Sequence, residues 1–416
     1  MKKTLALILA FVMMLSLCAC GGSQNSPPPA DVQESTPPED TVPDTAGTEP
    51  AGDEGEEELT GETENDAAAG EPNAADGISD TMTSEDGNYE VAFVTDGGQL
   101  KDGAFNQGAY NGVKLFAADN GLSYKYYQPA NGDRATDDDR YDSIKEAAEA
   151  GAKVIVCVGG LQSAALETAA YEFPDVNFIF IDGWNMGLDN VAGITFQEEQ
   201  CGYFAGYAIV REGYTRLGFC GGDGGMNPAY CRYGYGFVQG ANAAAAEMGV
   251  DVEINYSWQY AASSAASDEL ESMISDWYAG GTEIVFASGG EMFRSVTAAA
   301  SANDGLVIGM DTDRSSSFDT VITSAVKDLQ EAAIWALTKA LSGSWSEIGG
   351  ALSILGAAEG ATGLPTATWS MKTYTVGEYE KLLADVVAGN LQIDSTVLEG
   401  DAIASEKFSN VTVNYI

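Results

Sequence analysis

Polar and aromatic residues recur where apolar runs of this chain end. Asp96 closes VAFVT, and a short loop through Asp102 leads to Phe105 and Asn106. Asp182 closes FIFI, Gly289 follows EIVFAS, Asp311 closes LVIGM, and Lys327 follows VITSAV. In an open parallel sheet, residues at these places lie outside the carboxyl ends of the strands, where such sheets hold ligands. An ionised carboxylate only accepts hydrogen bonds and so pairs with hydroxyls, while an aromatic face stacks on a flat ring. The set suits a polar, hydroxylated ligand that carries a flat group.

Catalysis has less to work with. The chain contains no histidine, which removes Ser-His-Asp and Cys-His nucleophilic machinery and every His-bearing metal site. The run GGDGG at 221–225 lacks the spacing and the basic residue of a phosphate cradle and reads as a turn after a strand. Asp137, Asp138 and Asp139 read as the capped, acidic start of a helix. Cys157 lies in an apolar strand run. Cys220 and Cys231 flank a Gly-rich loop and are either a disulfide or two free buried thiols. No metal-type cysteine spacing is present, and no catalytic residue, metal or cofactor is expected.

These residues need elements to position them. Apolar strand runs fall at 89–95, 124–128, 154–158, 178–181 and 191–196, separated by helical stretches near 105–120, 141–150 and 161–173 and followed by one near 199–212. The pattern then restarts, with strands at 217–220, 252–256, 284–287, 306–310 and 321–326 and helices near 231–248, 267–279 and 291–303. A helix at 329–341, a strand-like piece at 351–356, a Gly-Pro turn and a last helix near 376–390 complete the chain. Near-continuous apolar strands between helices indicate parallel sheets covered on both faces. Two such series give two doubly wound lobes with a hinge and an interlobe cleft, the type I periplasmic-binding-protein fold. The expected division is lobe 1 at about 89–213 plus 327–350, lobe 2 at about 214–326, and a tail at about 351–416.

The front of the chain is organised differently. Residues 1–20 have the charged start and short apolar core of a signal peptide, too short to span a membrane. LCACG resembles a bacterial lipobox, which would place a lipid on Cys20 and anchor the protein on the extracytoplasmic face of the cell membrane. Residues 21–88 are acidic, Pro-rich and poor in large apolar side chains, the composition of a disordered tether. The formal net charge of -44 argues against nucleic acid as a partner.

Several stretches also resemble one known family. VAFVTDGG, KDGAFNQ, TFQEEQCGYFAGYAI, YGYGFVQGA and VITSAVK, in this order, are similar to the basic membrane protein family, the lipid-anchored substrate-binding parts of ABC importers. That resemblance implies a purine nucleoside as ligand and a membrane permease as partner. It implies that Phe105 and Phe286 sandwich the base, that Asn106 and Asp182 read base edges, and that Asp102, Asp311 and Lys327 hold the ribose hydroxyls. Asp96 and Gly289 complete the expected site. The sequence departs from the family where Gly290 is followed by Glu291, and where the bulky Trp184 follows Asp182; Trp258 could add another wall. A sugar or flavin-like ligand on the same fold, a sensor lipoprotein and an extracellular hydrolase are the competing readings.

Overall fold

The structure, a computed structural model, describes residues 73–101 and 105–416. The signal peptide, Cys20, most of the acidic tether and Asp102 lie outside the described residues.

Lobe 1 is built on β1 (Val91–Val94), β2 (Tyr124–Tyr127), β3 (Val154–Val158), β4 (Asn177–Ile181) and β5 (Val191–Phe196), in the parallel order β2-β1-β3-β4-β5. Alternate side chains serve opposite faces. Phe93, Val156 and Ile179 pack under α1 (Phe105–Asn120) and α8 (Leu329–Leu341). Ala92, Ile155 and Phe178 pack under α2 (Asp137–Glu149) and α3 (Ser163–Glu172). Thr136 and Asp139 form a capping box at the start of α2, so the Asp run does serve a helix N-terminus.

Lobe 2 repeats the order. Strands β6 (Arg216–Gly221), β7 (Val252–Ser257), β8 (Ile284–Ser288), β9 (Leu306–Asp311) and β10 (Val321–Lys327) run β7-β6-β8-β9-β10, all parallel. One face carries α4 (Glu198–Glu212), α5 (Pro228–Met248) and α9 (Val376–Val387); the other carries α6 (Asp268–Ala279) and α7 (Phe293–Ala302). In each sheet the strand order reverses beside the first strand, and crevices at such switch points are where these sheets bind ligands.

The structure moves two expected boundaries. Helix α4, expected in lobe 1, packs into the core of lobe 2 against α5. The reason is four glycines. Gly202 and Gly206 on α4 face the backbone of Tyr233 and Phe237, and Gly236 and Gly240 on α5 face the backbone of Glu199 and Tyr203. Only residues without a Cβ allow that approach. The tail is not a separate piece either. Its β11 (Leu352–Leu355) extends the lobe 1 sheet beside β5, β12 (Thr362–Gly363) pairs antiparallel with β10, and β13 (Val411–Tyr415) pairs with β7.

The chain therefore crosses between lobes three times, after β5, after β10 and after β11, and the crossings are bonded side by side. Gln197 N donates to Leu355 O at 2.9 Å, Asp328 N donates to Ala361 O at 2.8 Å, and Gln200 Oε1 accepts from Ala357 N and Thr362 Oγ1, each at 2.8 Å.

Residues 73–88, read as tether from their composition, lie on lobe 1 as a strap. Tyr110 and Tyr124 donate their hydroxyls to the carbonyls of Asp80 and Ser79, and the Asp80 carboxylate receives Lys114 at 2.8 Å and Lys101 at 2.7 Å. Burial opposes ionisation of Asp80, but the two ammonium groups hold its carboxyl below the ordinary value. The strap is held mainly by polar contacts, with Ala75 and Ile78 adding a little apolar packing, so hydrophobicity gives little sign of it.

Candidate functional site

Three strand ends meet at one ammonium group. Lys327, the last residue of β10 in lobe 2, is 4% exposed and donates to Asp182 Oδ2 of lobe 1 at 2.6 Å. It also lies 3.3 Å from Asp311 Oδ1, at the end of β9. Tyr233 of α5 donates its hydroxyl to the same Asp311 oxygen at 3.0 Å. Asp182 and Asp311 both adopt left-handed backbone conformations, with φ of 54° and 65°. Asp tolerates that region better than most residues, and in both strands it turns the chain sharply where the carboxylate is needed.

A second ion pair adjoins the first. Glu198, at the start of α4, is fully buried and receives Arg232 through Nε at 2.7 Å and a terminal guanidinium nitrogen at 2.6 Å, both on Oε2. Its Oε1 has no hydrogen-bond partner among the described residues. Burial would pull the Lys327 ammonium down, but Asp182, Asp311 and Glu198 outweigh it and hold the lysine charged. Burial pushes the carboxyls of Asp182 and Glu198 up, against the opposing charges of Lys327 and Arg232.

Glu199 is the outlier. Its side chain is 3% exposed, its nearest cation is Arg232 Nε at 3.8 Å, and Oε2 lacks a hydrogen bond. Burial pushes its carboxyl up to about 7 from an ordinary 4.5. The folded state therefore holds this proton at pH values where the unfolded chain has released it. Stability falls as pH rises from about 4.5 to about 7, then levels off. Glu199→Gln is expected to remove on the order of 3 kcal/mol of that dependence. Urea denaturation at pH 5 and pH 8 measures it, and an identical pH dependence in both proteins would refute the assignment.

Lobe 1 supplies the other wall. Asp96 Oδ1 accepts from Asn106 Nδ2 at 3.1 Å and Gly98 N at 3.2 Å, while Asp96 N donates to Asn106 Oδ1 at 3.3 Å. These two residues thus hold each other and fix the loop from β1 to α1. Arg140 Nε donates to the Asp96 carbonyl, and buried Gln162 donates to the carbonyls of Val94 and Thr95. Phe105, the first residue of α1, is partly exposed beside Gly159 at the end of β3.

Other expected members lie elsewhere. Phe286 is fully buried among Phe219, Tyr233 and Phe237, under α4 and α5. It cannot sandwich a base, because position 286 shares the core-facing side of β8 with Ile284. Trp258 is likewise core, with Nε1 donating to Gly400 O at 2.8 Å. Gly289 packs against Gly222, where a Cβ would lie 3.1 Å from Gly222 N, joining the ends of β6 and β8. Glu291 is exposed and paired with Arg294. Asp223 ties the GGDGG turn down through Ser264 and Asn227. Cys157, Cys201, Cys220 and Cys231 are all free and buried; Cys220 and Cys231 are separately bonded to the carbonyls of Phe286 and Gly225, so no disulfide joins them.

Sequence reasoning missed Glu198, Arg232, Tyr233 and Gln162. Arg232 left a signal: it is the single basic residue in the 21 of α5. Among the described residues no group of acidic or cysteine side chains could hold a metal ion, and no helix is long and apolar enough to cross a membrane.

The family model described as ABC transporter substrate-binding protein PnrA-like, Bmp, matches residues 89–393. The chain belongs to the Bmp family. Its relatives include the ABC transporter nucleoside-binding protein BmpA of Lactococcus lactis, 26% identical over 240 residues. That match covers 55% of this chain and 65% of BmpA, just under two thirds of its length. A CD4+ T-cell-stimulating antigen of Listeria monocytogenes is 25% identical over 329 residues, covering 74% of this chain and 88% of the relative. Among solved structures, a solute-binding protein of an ABC transporter system from Aeropyrum pernix superposes with a TM-score of 0.55 at 20% identity, covering 74% of this chain and 94% of the other. One from Conexibacter woesei reaches 0.57 at 21% identity, covering 74% and 99%. With the two β2-β1-β3-type sheets and three crossings, these likenesses establish the type I periplasmic-binding fold for this Bmp-family chain.

Proposed function

We propose that this Bmp-family protein is the receptor of an ABC importer, held to the extracytoplasmic face of the cell membrane through a lipid on Cys20, and that it binds a purine nucleoside between its lobes. The observation that carries the reading is the Lys327 ammonium shared by Asp182 of lobe 1 and Asp311 of lobe 2. Two carboxylates converging from opposite lobes suit vicinal hydroxyls, each of which donates to an acceptor-only group. Lys327 donates to the same ligand oxygens and offsets the negative charge of the two carboxylates. Phe105 stacks on the flat ring, the family resemblance adds Asp102, outside the described residues, as a further acceptor, and Asn106 and Asp96 hold each other at the end of β1. Glu198 and Arg232 form the polar floor at the hinge. Because the ligand contacts both lobes, its binding favours the closed form, which the permease recognises. The likeness to a nucleoside-binding relative supports this ligand class.

Thermal unfolding of the full chain against adenosine, guanosine, inosine, ribose, galactose and riboflavin tests the reading. Ligand at a hundred times its dissociation constant stabilises the native state by about 2.7 kcal/mol. A midpoint shift with the purine nucleosides, and none with free sugars, is expected. A shift with sugars alone would overturn the ligand class, and conversion of a nucleoside to base and sugar would overturn a purely binding role.

A further inference from the structure

With Phe286 withdrawn into the core, the expected sandwich lacks one aromatic wall. We infer that Trp184 supplies it, from the same lobe as Phe105, and that it makes the site selective for a bicyclic ring. The inference rests on the proposed nucleoside site and names the part of the ligand that site discriminates.

The strands around position 184 are buried on both faces, yet the Trp184 indole is 48% exposed. Single exposed apolar side chains are ordinary on a protein surface; this one is set apart by its place just past the end of β4, beside the turn that Phe105 adjoins. Its backbone is fixed. Asp182 turns the chain with a left-handed φ, Gly183 N donates to Ile194 O at 3.1 Å, and a Cβ at Gly193 would lie 2.6 Å from the Trp184 carbonyl oxygen. The ring is aimed as well, set edge-on to Phe180 with centroids 5.2 Å apart.

Its direction is toward the end of β3. A Cβ on Gly160 would lie 3.5 Å from Trp184 Cζ3, and a Cβ on Gly159 would lie 3.4 Å from Phe105 Cε1 and 3.5 Å from Asp96 Oδ2. Phe105 and Trp184 therefore adjoin one two-glycine turn, with Asp96 beside Gly159, at the switch point of the lobe 1 sheet. The two glycines place no Cβ against either ring. A flat ring placed over this turn meets aromatic surface on both sides, and a fused bicycle meets more of it than a single ring does. Both aromatic walls then belong to lobe 1, whereas Asp311 and Lys327 come from lobe 2. Lobe 1 captures the ring, and closure of lobe 2 engages the hydroxyls.

The test is calorimetric titration of the full chain, wild type, Trp184→Ala and Trp184→Phe, with adenosine, uridine and ribose, alongside tryptophan fluorescence. Trp184→Ala is expected to weaken adenosine binding by about tenfold or more and uridine binding by less, and Trp184→Phe to stay within about threefold of wild type. Adenosine is expected to quench the wild-type fluorescence and to quench Trp184→Phe far less. Wild-type binding of adenosine with unchanged affinity in Trp184→Ala overturns this inference and leaves the nucleoside reading standing. An equal loss for adenosine and uridine overturns the bicyclic selectivity. Wild-type binding of ribose without adenosine, or of none of the three, overturns both.

Discussion

Lys327→Met is expected to lower the stability of the folded chain by roughly 3–5 kcal/mol, the cost of leaving buried carboxylates without their cation. Methionine keeps most of the volume, so the loss reports charge and not packing. The ammonium it removes is the one that Asp182 and Asp311 approach from opposite lobes, with Glu198 nearby. The variant should recover on acidification. With Lys327 gone, the carboxyls of Asp182 and Glu198, already pushed up by burial, bind protons more readily in the folded than in the unfolded chain, so stability rises as pH falls toward their ordinary values. Urea midpoints at pH 5 and pH 8 measure both effects. A loss below about 1 kcal/mol at pH 8 would mean that the lysine is solvated and the carboxylates hold themselves. Nucleoside binding should be lost at either pH, because restoring protons does not restore the donor.

Gly236→Val is expected to leave little folded protein at 37 °C, and Gly236→Ala to lower the melting midpoint by about 2–4 °C. The Cβ would enter space held by the backbone of Glu199 on α4. No side-chain rotation relieves a clash with backbone, so the helices must separate, at about 1–3 kcal/mol for one methyl and more for a branched side chain. The strain also reaches the site, since Glu199 is next to Glu198 and Gly236 is one helical turn from Arg232. Gly377→Ala is the control. Gly377 lies in α9 with nothing within 4 Å of its would-be Cβ, and alanine there should be neutral or slightly stabilising. Circular dichroism melts of the three variants decide it; a Gly236→Ala midpoint equal to wild type would mean that the helices are not in contact as described.

The sequence already held the strand-and-helix alternation because each element has its own period. Helices α1 and α8 and strands β3 and β5 begin and end where the apolar pattern does. It also held Asp182, Asp311 and Lys327 as convergent, because a parallel sheet places every strand's carboxyl end on one side. Phe286 was misplaced for a physical reason: alternation along β8 says that 284 and 286 share a face, but not whether that face meets helices or the cleft. Glu198 and Arg232 escaped notice because neither ends a strand. Their pairing follows from the glycine contacts between α4 and α5, which depend on two segments some thirty residues apart. Chain order alone assigned α4 to the lobe it leaves, whereas close packing assigns it to the lobe it enters. The strap at 73–88 was illegible because its attachment is ionic and hydrogen-bonded.

That strap also sets a load path. Whatever pulls on the chain ahead of Asn73 is borne first by lobe 1, through Asp80 clamped between Lys101 and Lys114 and through the hydroxyls of Tyr110 and Tyr124. Lys101 and Phe105 both belong to lobe 1, so the strap is fastened to the lobe that carries Phe105. Lobe 2 takes strain through the three bonded crossings and through the Lys327–Asp182 ion pair. A pull from the front of the chain is therefore felt by lobe 1 before it is felt by lobe 2.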